Sequence, residues 1–238
     1  MMHGLFGSSS NLLAMAKQLA HQRTVILPDL RNHGRSPHSE DVSYQSMAGD
    51  ILELLDDCGY DTVDLLGHSM GGKVAMWLAL HHPELVNHLI VADISPVNYT
   101  NRFADLLDHL CQLDMAALAS RKDADQQLAK FIEEQSLRDY LLQNLIYRQG
   151  QWQWRMNLQA LAQGIHQIVA FPETSAEYAK PVLFLKGEHS AYLADKYQAA
   201  LYRLFPMAEI MQIQDAGHWL YAEQPQRFMA AIKTFCCR

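Results

Sequence analysis

The sequence predicts an α/β protein: a mostly parallel sheet with helices on both faces, interrupted by a helical insertion. Three observations predict it. Short apolar runs alternate with segments of helical periodicity in the first 97 residues and again after residue 172. That is the pattern of strands buried on both faces and joined by crossover helices. Gly67-His68-Ser69-Met70-Gly71 stands between an apolar run and a helical segment, as a sharp strand-to-helix turn requires. From about Asn98 to Phe171 the alternation stops, and no convincing strand is legible.

The chain opens on Met1-Met2, then a small loop rich in glycine and serine, His3 to Ser10. Leu12, Leu13, Met15, Ala16 and Leu19 supply the apolar side of the next helix. Such a loop normally follows a buried strand of ~5–6 residues, and two methionines are too short to be one. The first strands of the sheet are therefore expected to be truncated, leaving two strand edges open. Thr24–Asp29 reads as a short buried parallel strand, and Arg31–Pro37 as a polar turn. Met47, Ile51, Leu54, Leu55 and Cys58 recur at helical spacing. Val63–Leu66 is the strand that leads to Ser69, Lys73–His81 its helix, and Val86–Ala92 a further strand ending at Asp93.

Within the insertion, Phe103, Leu106, Leu107 and Leu110 mark one helix face, and Leu141, Leu142, Leu145 and Ile146 another. The sheet resumes at Pro181–Gly187. A helix carrying Tyr197, Ala200, Leu201 and Leu204 follows, then a last strand, Glu209–Ile213. Asp215–Trp219 is a loop, and Pro225 starts a closing helix with Phe228, Ala231, Ile232 and Phe235. The expected organisation is one core built from residues 1–97 and 173–238. Residues 98–172 form a helical lid over the C-terminal edge of the sheet, where ligands bind in open α/β folds.

A chain of 238 residues can bury one sizeable core. Its formal charge of -7 argues against general binding to nucleic acid or to an anionic membrane. No apolar run approaches the ~20 residues of a membrane span. The start lacks the basic residues and apolar core of a signal peptide. Cys58, Cys111, Cys236 and Cys237 read as reduced thiols rather than a metal or redox site, which implies a cytoplasmic protein.

The chemistry centres on Ser69, at a strained turn and a helix start, where free N–H groups favour negative charge. A serine hydroxyl is almost never ionised near neutrality, so it needs a base. There are 12 histidines, and His218 stands out because it follows the last strand, at the same sheet edge as Ser69. His68, at the variable position of the turn, is expected to point away. The base in turn needs a carboxylate. Asp93, Glu188, Asp195, Asp215 and Glu223 are the candidates at or near that edge.

With His3-Gly4, Gly67-His68-Ser69-Met70-Gly71 and Gly217-His218 in this order, the chain resembles the α/β-hydrolase family over nearly its whole length. Three further segments resemble those of bacterial YbfF-type esterases: Leu30–Gly34, Ala92–Tyr99 and Trp154–Asn157. The resemblance implies hydrolysis of small-molecule carboxylic esters or acyl thioesters, including acyl-CoA, with no cofactor and no metal. It implies Ser69 as nucleophile, His218 as base, and the N–H groups of Met70 and Leu5 as the oxyanion hole. Most of the family has an Asp after the penultimate strand, where this chain has Ser190. YbfF-type esterases resemble the chain in that departure, and the acid then maps to Asp93, with Glu188 left as the alternative. Leu5, Phe6, Met70 and Trp219 are expected to face an apolar acyl pocket, and Arg102, Arg148 and Arg155 are candidates for CoA phosphates. Two other functions remain open. One is a different reaction on the same scaffold, such as a C–C hydrolase, lyase or perhydrolase. The other is a catalytically impaired fragment.

Overall fold

Along the computed structural model, which describes residues 1–236, the first elements are α1 (Leu13–Leu19), α2 (Tyr44–Asp57), β1 (Val63–His68), α3 (Met70–His81) and β2 (Val86–Ala92). The middle of the chain holds α4 (Ala104–Cys111), α5 (Arg121–Leu128), α6 (Gln135–Leu142), β3 (Leu145–Arg148), β4 (Gln151–Trp154) and α7 (Leu158–Val169). Then come β5 (Val182–Gly187), α8 (Gln198–Leu204), β6 (Ala208–Ile213), α9 (Leu220–Glu223) and α10 (Pro225–Cys236).

The main sheet has the order β1-β2-β5-β6, and every pairing in it is parallel. His68 lies opposite Ala92, so β1 and β2 finish level, and Ala92 lies opposite Leu185, two residues before the end of β5. Toward their C-terminal ends β1, β2 and β5 are buried on both sides because each side meets a core, whereas β6 is largely exposed. Leu65, Leu89, Val91 and Phe184 point to the core shared with α2 and α3. Leu66, Ile90, Leu183 and Leu185 point to the one shared with α1 and α10. Burying each such side chain contributes ~1.5–3 kcal/mol. Residues 98–172 do not form a separate core: Leu107, Leu141 and Leu161 join the α2–α3 core.

Two expectations about strands are corrected. Thr24–Asp29 forms no ladder, and Val25, Ile26 and Leu27 are only half-buried. Between it and β1 stands Met2, whose N–H donates to the Leu66 carbonyl (2.8 Å) and whose carbonyl accepts from the His68 N–H (3.0 Å). The Met1 amine donates to the Ile26 carbonyl at 2.8 Å, and burial lowers its pKa to about 5. Beyond Met1, along the β1 edge expected to be open, runs a groove of about 860 Å³ lined by Val25, Ile26, Leu54 and Leu65. The second correction lies inside the insertion, where β3 and β4 pair as an antiparallel hairpin. Gln149 and Gly150 make its turn, with φ of 54° and 82°. Four-residue strands and a Gln-Gly turn leave little periodic signal.

Cys58 and Cys111 are free thiols, and Cys237 lies outside the described residues. Among the described residues no helix is long and apolar enough to cross a membrane.

Candidate active site

Three strand ends build the site. β1 runs into the Ser69 turn, which depends on glycine at two crowded positions. A Cβ on Gly67 would lie 2.1 Å from the Gly71 carbonyl oxygen, and one on Gly71 would lie 2.6 Å from that of His3. Ser69 itself is strained, at φ 52° and ψ -118°. A non-glycine residue in so sparse a region costs ~1–3 kcal/mol and persists only where its surroundings hold it. Here the Ser69 N–H donates to the Ala92 carbonyl (2.9 Å), and the Gly71 N–H to that of His3 (3.1 Å).

β2 ends at Asp93, fully buried and also at positive φ, 53°. Its carboxylate is surrounded by donors. Oδ1 accepts from the Gly187 N–H at 3.0 Å. Oδ2 accepts from the Ser190 hydroxyl and from His218 Nδ1, the latter at 2.7 Å. β6 leads to His218, whose Nε2 lies 3.1 Å from Ser69 Oγ. With Nδ1–H directed at Asp93, Nε2 presents its lone pair to the serine hydroxyl. The arrangement can take a proton from Ser69 and stabilise the imidazolium that results. The structure thus brings Ser69, His218 and Asp93 together.

The other acids are engaged elsewhere. Glu188 accepts from the Asp215 N–H (2.8 Å), and Asp215 pairs with Arg227 (2.8 Å). Glu223 accepts from the N–H groups of Gly217 and Trp219, at 2.5 and 3.1 Å, and so pins the His218 loop. Asp195 is exposed and stands 4.0 Å from Lys186.

His68 does not point away from the site, as the turn pattern alone implied. It is buried, its Nε2–H donates to the His218 carbonyl (2.8 Å), and its ring packs on those of His218 and Tyr221. Burial pushes its pKa well below the usual histidine value, so it braces the base loop as a neutral ring. No pattern in the turn marks this role, because it depends on which loop lands beside it. Ser190 was more legible: it stands where an acid was expected, and it donates to the acid that replaces it.

The Leu5–Phe6 loop is held in the same way by neutral imidazoles. His3 Nε2 accepts from the Leu30 N–H (3.0 Å), and His33 Nε2 from the Phe6 N–H (3.2 Å). Burial lowers both pKa values, that of His33 to about 3.

A cavity of about 270 Å³ opens beside Ser69. Leu5, Met70, Ile94, Phe103, Ile168 and Tyr192 contribute to its lining. Among the described residues, the Met70 and Leu5 N–H groups have no backbone acceptor. Phe6 and Trp219 do not line this cavity. Phe6 is buried edge-on against Phe103, and Trp219 packs on Tyr140. Of the three predicted arginines only Arg102 borders it, with Lys73 and Lys196, and no carboxylate is among the lining residues. The larger groove beside β1 does not border Ser69. Asp64, His88 and Cys236 lie within 4.8 Å of one another along it, but His88 and Arg23 already occupy the Asp64 carboxylate.

Residues 1–225 match the family model described as the alpha/beta hydrolase fold. The mouse protein named sn-1-specific diacylglycerol lipase ABHD11 is 40% identical over 98% of this chain and 79% of its own length. Esterase YbfF of Escherichia coli (strain K12) is 31% identical over 99% of this chain and 91% of its own. The solved structure of a marine microorganism esterase superposes with a TM-score of 0.94 at 38% identity, covering 98% of this chain and 93% of that one.

Proposed function

The chain belongs to the α/β-hydrolase fold family, and from that premise we propose that it is a serine hydrolase that cleaves carboxylic esters through an acyl-enzyme. One observation carries the reading: the unbroken series Ser69 Oγ, His218 Nε2, His218 Nδ1, Asp93 Oδ2, with separations of 3.1 and 2.7 Å across its two hydrogen bonds. The relatives, two named esterases and a diacylglycerol lipase, support the substrate class.

In this mechanism Ser69 Oγ attacks the acyl carbonyl carbon while His218 Nε2 takes its proton. The carbonyl oxygen becomes an oxyanion and accepts from the Met70 and Leu5 N–H groups. Collapse breaks the bond to the leaving group, which departs with the proton from His218. Water then attacks the acyl-enzyme, giving its proton to His218, and Ser69 is regenerated.

The cavity of about 270 Å³ is at the small end for a ligand pocket, and its lining favours short to medium apolar acyl chains. Residues 98–172 act as the lid, a role supported by Phe103, Ile168 and Val169 in that lining. Acyl-CoA is the second substrate class, favoured by Arg102 and Lys196, exposed cations in the cavity lining.

The test is a fluorophosphonate probe together with a panel of p-nitrophenyl esters and acyl-CoAs. Wild-type protein should be labelled and turn over short-chain esters. Ser69→Ala should lose labelling and almost all turnover, because nucleophile and base act as a unit. A Ser69→Ala protein that keeps most of its activity overturns the mechanism. Labelling without ester or thioester turnover would point to another reaction on the scaffold.

A further inference from the structure

Lys73 sits one helical turn beyond Ser69 on α3 and is only 1% exposed, rare for a lysine without a carboxylate partner. Its Nζ donates instead to three carbonyls: Val97 (3.0 Å), Val169 (2.9 Å) and Ala170 (2.6 Å). An ammonium has three N–H donors, so none is left over. The titratable groups facing it are the phenols of Tyr44 and Tyr99, whose ring centres lie 5.8 and 4.9 Å from Nζ. Both hydroxyls donate elsewhere, to the carbonyls of Ile168 and Tyr192.

The three acceptors belong to the neck of the insertion. Val97 precedes residues 98–172, Val169 ends α7, and Ala170 caps it. The two sides of the neck also meet directly: the Tyr99 N–H donates to the Val169 carbonyl (2.9 Å), and the Phe171 N–H to Asn98 Oδ1 (2.8 Å). A cation beneath the last turn of α7 complements the negative end of that helix. Tyr44, Tyr99, Ile168 and Val169, the residues around the ammonium, also line the Ser69 cavity.

We propose that Lys73 is a positioning residue that fastens both sides of the insertion's neck to the nucleophile helix, and so sets the wall of the acyl cavity. The inference rests on the ester-hydrolase reading of that cavity. Its amine contacts no reacting atom, so its loss should weaken acyl binding more than the chemical step. Lys73→Met keeps the length of the side chain and removes all three bonds.

The experiment compares wild type with Lys73→Met, and with Lys73→Gln should the first not fold, on p-nitrophenyl hexanoate and acetate. Amide hydrogen exchange across residues 97–103 and 165–172 is measured on the same proteins. The KM for hexanoate should rise roughly tenfold, the effect of one or two net hydrogen bonds, with a smaller fall in kcat and a smaller change for acetate. Exchange should quicken on both sides of the neck while β2 and β5 keep their protection. Unchanged KM and exchange would overturn the proposal. So would a uniform loss of activity and of protection throughout, which marks a merely structural lysine. If wild type is neither labelled by the fluorophosphonate nor active on esters, the hydrolase reading has failed, and the exchange comparison still decides whether Lys73 fastens the neck.

Discussion

At the site, two residues from different strand ends meet where the base needs its carboxylate. Asp93 supplies the carboxylate from the end of β2, and Ser190 occupies the usual place of the acid and donates to it. Asp93→Asn preserves the shape but cannot hold the His218 tautomer or balance the imidazolium, so kcat should fall roughly ten-thousandfold, by analogy with the protease triad. Glu188→Gln only loosens a bond to the Asp215 N–H and should cost little. Steady-state turnover of a p-nitrophenyl ester checks both, and a dead Glu188→Gln beside an active Asp93→Asn would move the acid to the later loop. The proposed nucleophile and base loop were legible because Gly-x-Ser-x-Gly directly follows an apolar run and Gly-His lies in the loop after the last strand. The role of His68 was not, because its partner, the His218 carbonyl, lies 150 positions away in the chain.

Among the elements, α3 does two things. Its first residue adjoins Ser69, and its Lys73 reaches the neck of the insertion. Burial without a counter-charge pulls the Lys73 pKa from 10.5 to about 7. The folded-state value is therefore below the unfolded one. Between about pH 7 and 10.5 the folded amine is largely neutral and donates to at most two of its three carbonyls, the full set being filled by the ammonium below pH 7. The unfolded chain still binds the proton across that window, so this group's contribution to stability is full above it and is lost as pH falls through it. The melting temperature of wild type minus that of Lys73→Met should accordingly rise across pH 7 to 10. Because the other titrating groups are common to both proteins, their effects cancel in the difference. A flat difference would mean that the three carbonyls hold the ammonium at an ordinary lysine pKa. Sequence periodicity identified α3 as a helix but could not assign Lys73 a burial, since a lysine on an apolar helix normally faces water.

Over the whole molecule a formal charge of -7 coexists with a cavity rim that carries Arg102 and Lys196 and no carboxylate. The local field at the rim, rather than the net charge, would meet a phosphate-bearing leaving group. If acyl-CoA is turned over, its KM should rise several-fold between ~0.05 and 0.5 M salt as screening shortens the reach of these charges. The KM for a neutral p-nitrophenyl ester should barely move over the same range. Equal salt dependence for both substrates would remove the two cations from CoA binding.

The strand-helix alternation, the serine turn, the histidine loop and the place where the alternation breaks were all written in the order of residues. These are local features, each carried by a few neighbouring residues and by the period of their apolar side chains. Five acids were compatible with that order. Only the level ending of β1 and β2 and the close approach of the loops after β1, β2 and β6 put Asp93, and none of the other four, against His218 Nδ1. The same holds for Phe6 and Trp219, apolar residues beside the catalytic loops that pack on Phe103 and Tyr140 instead of facing the cavity. The β3–β4 hairpin and the half-buried Thr24–Asp29 segment followed the same rule, since pairing depends on a partner strand that no local run of residues specifies.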